Sequence, residues 1–213
     1  FYDSPKIRER LECLDAKEAR QDRRPPPMVR TPYFCSGCPH NTSTRVPEGS
    51  IGHAGILCHY MVRWMDRNTE LFTQMGGEGA SWIGQAPFTG IKHTFQNIGD
   101  GTYFHSGILA IRAAIASGVN ITYRILYNDA VAMTGGQGVD GSLGLEQVVA
   151  QVRAEGVRRI AVVAEDIEQA RNRLTDFNDI TLHPKTDYDQ LLEEIREVPG
   201  TSVIVFDQTC ASE

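Results

Sequence analysis

Asp100 and Asn128 are the residues whose types and placement best suit chemistry. Asp100 sits in the turn Gly99-Asp100-Gly101, which closes the run Thr94-Phe95-Gln96-Asn97-Ile98. Asn128, followed by Asp129, closes the run Ile121-Thr122-Tyr123-Arg124-Ile125-Leu126-Tyr127. A carboxylate and an amide oxygen at the carboxyl ends of two parallel strands suit a hard, oxygen-preferring cation such as Mg²⁺. The carbonyl of Ala130 can supply a third oxygen, with two diphosphate oxygens and a water completing an octahedron. Glycines beside the aspartate let backbone N–H groups approach a phosphate closely. A Gly-Asp-Gly alone is also an ordinary turn. Its companions here, Asn128 and the loop Met133-Thr134-Gly135-Gly136-Gln137-Gly138, turn it into a site for a metal-bound diphosphate.

Placing those turns requires a sheet. The pattern predicts strands over Leu71–Gln74, Thr94–Gly99, Ile121–Tyr127, Arg159–Ala164 and Ser202–Phe206. Between them it predicts helices over Ala54–Arg67, Phe104–Ser117, Leu145–Glu155, Ile167–Leu174 and Tyr188–Glu197. Arg159-Ile160-Ala161-Val162-Val163 and Val203-Ile204-Val205 are near-continuous apolar runs, as in parallel strands covered on both faces. The alternation predicts an α/β fold, a doubly wound and mostly parallel sheet with helices on both faces. Such sheets hold ligands outside the carboxyl ends of their strands, where both polar turns fall.

At 213 residues, with 41% hydrophobic and 23% charged residues, the chain can bury a substantial core. A net charge of -6 without a dense basic face excludes nucleic acid as the expected partner. No apolar run approaches the ~20 residues that span a bilayer, and no signal segment opens the chain, so a cytoplasmic protein with no membrane association is expected. The opening at Phe1 and the close soon after an apolar run read as an excision from a longer multidomain chain. Residues 1–28 read as a charged linking helix, Ile7 to Arg24, and a stiff spacer at Pro25-Pro26-Pro27. Residues 29–213 read as the cofactor-binding domain.

The words around the two turns carry a resemblance. FCSGCPHN at Phe34–Asn41, MGGEGASWIGQAPF at Met75–Phe88, GDGTYFHSG at Gly99–Gly107 and NDAVAMTGGQ at Asn128–Gln137 occur in that order. Together they resemble the thiamine diphosphate-binding domain of indolepyruvate:ferredoxin oxidoreductases of the fused bacterial type, over Pro32 to Gln208. The resemblance implies oxidative decarboxylation of an aryl 2-oxo acid to acyl-CoA and CO2. Coenzyme A is the co-substrate, and electrons pass through iron–sulfur clusters to ferredoxin. By motif matching, Asp100, Asn128 and the Ala130 carbonyl hold Mg²⁺. Gly99, Gly101 and Thr102 approach the diphosphate with Thr134 nearby, and Met75, Gly76 and Gly77 line the thiamine. In this cofactor class the glutamate that hydrogen-bonds the aminopyrimidine lies on a separate pyrimidine-binding domain. Glu78 therefore reads as structural, and this chain alone as inactive. The partners implied are the pyrimidine-binding and other domains of the parent enzyme, in a homo-oligomer, because thiamine sites form between two domains. A non-redox thiamine-dependent decarboxylase or carboligase would use the same Asp100 and Asn128. A catalytically inert cofactor- or zinc-binding domain is the reading from outside enzymology.

Cys35-x-x-Cys38, Cys58 and Cys210 separate these readings. A single Cys-x-x-Cys is ambiguous among zinc, iron–sulfur and redox roles, and its irregular Pro/Gly loop disfavours a thioredoxin-like motif. Four thiolates suit a 4Fe-4S cluster, and related 2-oxo acid:ferredoxin oxidoreductases order their cysteines similarly, although Leu57 stands where relatives often place glycine. Zinc held by Cys35, Cys38, Cys58 and His59, or buried free thiols, remain the alternatives. Cys13 reads as an incidental thiol. His105 opens a helix beside the diphosphate turn, while His40, His53 and His59 flank the cysteines; His53, His59 and His105 are the catalytic candidates. His93 and His183 read as surface or core. Trp82, Phe88, Phe95, Tyr103 and Phe104 read mainly as packing groups.

Overall fold

A computed structural model describes residues 4–20, 28–128, 130–139, 141 and 143–211. The expectations for Arg24, Pro25-Pro26-Pro27 and Asp129 lie outside the described residues. The chain divides into two units, Phe1–Thr31 and Pro32–Glu213. The first carries α1 (Pro5–Ala19), which starts on a proline as helices tolerate and buries none of its residues.

The second unit contains α2 (His40–Ser43), β1 (Ile51–Ala54), β2 (Thr69–Phe72), α3 (Ala80–Gln85) and β3 (Thr94–Gly99). A continuous helical stretch follows: α4 (Asp100–Thr102), a π-helical turn (Tyr103–Gly107) and α5 (Ile108–Ser117). After β4 (Ile121–Tyr127) come the short hairpin β5 (Ala130–Val131) and β6 (Gln137–Gly138), then α6 (Leu145–Ala154) and β7 (Arg159–Ala164). The chain continues through α7 (Ile167–Arg173), β8 (Thr181–Pro184) and α8 (Tyr188–Ile195) to β9 (Thr201–Asp207). Seven strands form one parallel sheet in the order β2-β1-β3-β4-β9-β7-β8. The chain first moves outward from β1 to β2 and then resumes on the other side of β1 with β3. That reversal is a topological switch point, and crevices at carboxyl strand ends open there.

Alternation along β4 divides the interior. Ile121, Tyr123, Ile125 and Tyr127 face one core with Ile111 of α5, Val148 and Val152 of α6 and Ala170 of α7. Leu126 faces the other, with Phe95, Phe206 and α8 residues Tyr188, Leu191 and Ile195. Burial on both faces is why β7 and the Val203-Ile204-Val205 stretch of β9 read as near-continuous apolar runs.

The expected helix over Ala54–Arg67 is not formed. The segment instead holds the end of β1 and a 3₁₀ helix, Cys58–Trp64. β1 pairs with β2 and β3, and a side chain at Gly52 would meet Thr69 Oγ1 at 2.7 Å, so close strand pairing overrides local helix preference. The expected strand Leu71–Gln74 is observed earlier as β2, and β1, α3 and β8 are elements the pattern did not predict. The linking helix stops at Ala19. Among the described residues no helix is long and apolar enough to cross a membrane.

Candidate active site at the carboxyl ends of β1, β3 and β4

Gly99 pairs with Leu126 at the ends of β3 and β4, so the residues that follow leave the sheet side by side. Asp100 is fully buried there. Its Oδ1 accepts from Gly101 N at 2.7 Å, and its Oδ2 accepts from Asn128 N at 3.1 Å and Ala130 N at 3.3 Å. These backbone donors favour the charged form of the carboxylate. The carboxamide of Asn128 lies between the other two oxygens. Turned one way, its nitrogen donates to Asp100 Oδ2 at 2.8 Å and to Ala130 O at 2.9 Å. Turned the other way, its oxygen faces Asp100 Oδ2 and Ala130 O at those spacings and accepts from Ala130 N at 3.3 Å. Adjacent ligands of an octahedral Mg²⁺ at about 2.1 Å stand about 3.0 Å apart, so this donor set fits magnesium once the amide presents oxygen.

The surrounding glycines are packing requirements. A Cβ on Gly99 would meet Leu57 Cδ2 at 2.4 Å, whereas one on Gly101 would meet only Val131 at 3.7 Å. Gly99 is therefore closed over by Leu57, while Gly101 keeps the approach to the helix start open. Thr102 is buried and donates to Ile56 O at 3.3 Å, tying this start to the end of β1. Thr134 is held within its loop, donating to Gln137 Oε1 at 2.6 Å.

Met75, Gly76 and Gly77 form a turn between β2 and α3. Gly76 has φ +85°, and a Cβ there would lie 2.2 Å from Ser106 Oγ. The turn thus rests directly on the π-helical stretch after Asp100. Glu78 is buried and accepts from Gly76 N at 2.7 Å. Burial raises its carboxyl above the ordinary range, opposed by backbone N–H groups of Glu78, Gly76 and Ile56. It braces the turn from beneath, between Gly76 and Gly55.

The four cysteines of the second unit gather. Burial pushes the Cys58 thiol up to about 11, and Cys38, Cys210 and Cys35 each raise it further. Cys38 is likewise raised by burial and by Cys35 and Cys210, against the hydrogen bond from the His40 backbone and the charge of Lys185. Gln208 N donates to Tyr127 O at 3.2 Å, guiding the segment before Cys210 past the end of β4. Leu57, next to Cys58, covers Gly99, so the third cysteine is anchored to the Asp100 turn. Among the described residues no three His, Cys, Asp or Glu side chains are grouped as a single ion's shell.

The histidines separate by burial. His53 is buried in β1 against Trp82, with ring centroids 6.2 Å apart, and burial lowers its pKa to about 4. His59 is fully buried, and desolvation, His40 and Arg124 hold it well below its ordinary value. His105 is exposed, with Nδ1 2.7 Å from Ser106 Oγ. Sequence reasoning did not single out Ser106 or Arg124. Arg124 is a fully buried cation over the Phe95 ring, and a charge inside an apolar strand was its visible signal.

The family model described as thiamine pyrophosphate enzyme, C-terminal TPP binding domain, matches residues 50–206. The indolepyruvate oxidoreductase subunit IorA of Thermococcus kodakarensis is 27% identical over 221 residues, covering 93% of this chain and 32% of the relative. The chain therefore spans about a third of the curated relative's length. A 2-oxoglutarate:ferredoxin oxidoreductase from Magnetococcus marinus, solved with 2-oxoglutarate, coenzyme A and succinyl-CoA bound, superposes with TM-score 0.63 at 17% identity, covering 86% of this chain and 66% of that one. Benzoylformate decarboxylase from Polynucleobacter necessarius superposes with TM-score 0.56 at 16% identity, covering 90% of this chain and 36% of that one. At these identities the solved structures share the fold.

Proposed function

Because this chain belongs to the thiamine pyrophosphate enzyme C-terminal TPP-binding domain family, we propose that it is the diphosphate- and magnesium-binding part of a 2-oxo acid:ferredoxin oxidoreductase, acting on an aryl, indolepyruvate-like acid. The observation that carries this reading is the Asn128 carboxamide standing 2.8 Å from Asp100 Oδ2 and 2.9 Å from the Ala130 carbonyl at two adjacent strand ends. Those three groups would hold Mg²⁺, and Gly99, Gly101 and Thr102 would bring backbone N–H groups to the diphosphate. Met75, Gly76 and Gly77 would line the thiamine, braced by Glu78. When bound, thiamine diphosphate supplies the electron sink for loss of CO2 from a 2-oxo acid. The chain's own contribution is position: a closed floor at Leu57 and Gly99 and an open approach at Gly101.

The cysteines support the redox branch: four thiols within electrostatic reach of one another would supply the thiolates of a 4Fe-4S cluster. One tetrahedral zinc would take the same four thiolates and leave the reading non-redox. The pyrimidine-binding domain, ferredoxin and coenzyme A would be met by the rest of a longer enzyme and its oligomer.

The test is thiamine diphosphate binding, followed by calorimetry with and without Mg²⁺. Saturable binding that needs Mg²⁺ is expected. Asp100→Asn removes the charge and should weaken it by roughly 10- to 100-fold, about 1.5–3 kcal/mol for a charged hydrogen-bonding group. Absence of Mg²⁺-dependent binding by the wild-type parent enzyme would sink the proposal.

A further inference from the structure

Five of the six histidines are buried or sit on an edge strand. His40, His53, His59 and His93 are buried and held neutral by desolvation, and His183 is paired with Thr181 on β8 at the sheet edge. His105 alone is an exposed histidine on the helical stretch that begins at Asp100. It occupies the π-helical turn Tyr103–Gly107, and such turns recur at functional sites because the wider winding re-aims side chains. Its Nδ1 lies 2.7 Å from Ser106 Oγ, and Ser106 is in turn pinned against Gly76 of the Met75–Gly77 turn. The imidazole is therefore held at the rim of the surface expected to line the thiamine.

We propose that His105 is a catalytic residue that hydrogen-bonds the carboxylate of the incoming 2-oxo acid, and that Ser106 is the positioning residue that sets its tautomer. The inference rests on the thiamine reading above and adds the substrate contact to it. Ser106 has one hydroxyl proton. When it donates that proton to Nδ1, the ring proton sits on Nε2, the nitrogen that Ser106 leaves uncommitted. Nε2–H is then a fixed donor beside the thiamine turn, suited to an anionic oxygen. A contact of this kind is charge-assisted on the acceptor side and stronger than a neutral hydrogen bond.

The test compares two ligands on the full-length parent enzyme loaded with thiamine diphosphate and Mg²⁺. The probes are 3-phenylpropionate, which keeps the carboxylate but lacks the reactive oxo group, and the neutral 3-phenylpropanamide. His105→Ala should weaken 3-phenylpropionate about tenfold, about 1.4 kcal/mol, and leave the amide within about twofold. His105→Gln should recover part of the loss by restoring a donor, and Ser106→Ala should weaken the carboxylate ligand about threefold. Thiamine diphosphate affinity should be unchanged in all three. Equal weakening of both probes, or of neither, would overturn the substrate contact while leaving the thiamine reading intact. Failure of the wild-type enzyme to bind thiamine diphosphate would instead overturn the reading beneath it. Failure to bind 3-phenylpropionate with the cofactor in place would overturn the aryl-carboxylate assignment.

Discussion

His93 shows what burial does to a single titrating side chain in this molecule. It is 8% exposed, its Nε2 lies 2.8 Å from Thr122 Oγ1, and its ring packs edge-on to Phe95. Desolvation first, then the charges of Arg124 and Arg196, lower its pKa from 6.5 to about 4. Below pH 6.5 the unfolded chain takes up a proton that the folded chain refuses. Stability therefore falls as pH drops from 6.5 towards 4, and above 6.5 the contribution is fully retained. Two pH units of that window correspond to about 3 kcal/mol at most. Urea unfolding at pH 7 and pH 4.5 should show a smaller difference in His93→Gln than in wild type, by about 2 kcal/mol. Equal differences would mean that His93 protonates freely in the fold. Residue identity alone distinguished some groups and not others. Asp100 and Asn128 stood out as candidates because each follows a strand-like run, Asp100 between two glycines and Asn128 just before a glycine-containing loop, a purely local signature. Ser106 was not, because its importance arises from contact with Gly76, thirty residues away in sequence. The fates of His53 and His59 were equally hidden, since burial is decided by what packs over them.

At the level of elements, sequence legibility followed burial. β4, β7 and β9 are buried along nearly their whole length and rich in β-branched and aromatic residues, so they were readable almost residue for residue. β1 was not: Ile51-Gly52-His53-Ala54 is short, contains a glycine and a histidine, and is a strand only because β2 and β3 pair with it. The helical stretch after Asp100 gives the sharpest test of element packing. Gly107 lies within it, and a Cβ there would meet Ile98 Cδ1 of β3 at 2.4 Å. Helix preference favours alanine over glycine by about 1 kcal/mol, while overpacking costs typically about 1–3 kcal/mol. Packing should win, so Gly107→Ala should lower stability in thermal unfolding. Adding Ile98→Val removes the obstructing methyl and should recover most of the loss. If Gly107→Ala alone stabilises the protein, the helix does not press on β3 as described.

Across the whole second unit, the cysteines are its longest-range connection. Cys35 and Cys38 precede the first strand, Cys58 follows it, and Cys210 lies beyond the last, yet their thiols influence one another. A cluster bound by all four would clasp the two ends of the sheet-forming chain, and metal affinity would appear as folding stability. By loop-closure entropy, a clasp over so long a loop contributes about 4–5 kcal/mol, corresponding to roughly 10 °C in melting temperature for a domain of this size. Anaerobically purified protein should therefore contain about four irons and four acid-labile sulfides, the content of one 4Fe-4S cluster. Cys35→Ala should lose both the iron and that thermal increment. Cys13→Ala should lose neither, because α1 lies outside this unit and buries nothing. Zinc in place of iron would keep the clasp but remove the electron-transfer role, moving the proposal towards a non-redox thiamine enzyme. A melting temperature insensitive to Cys35→Ala, with no metal in either protein, would mean that these thiols gather through packing alone and that electrons, if any, leave by another route.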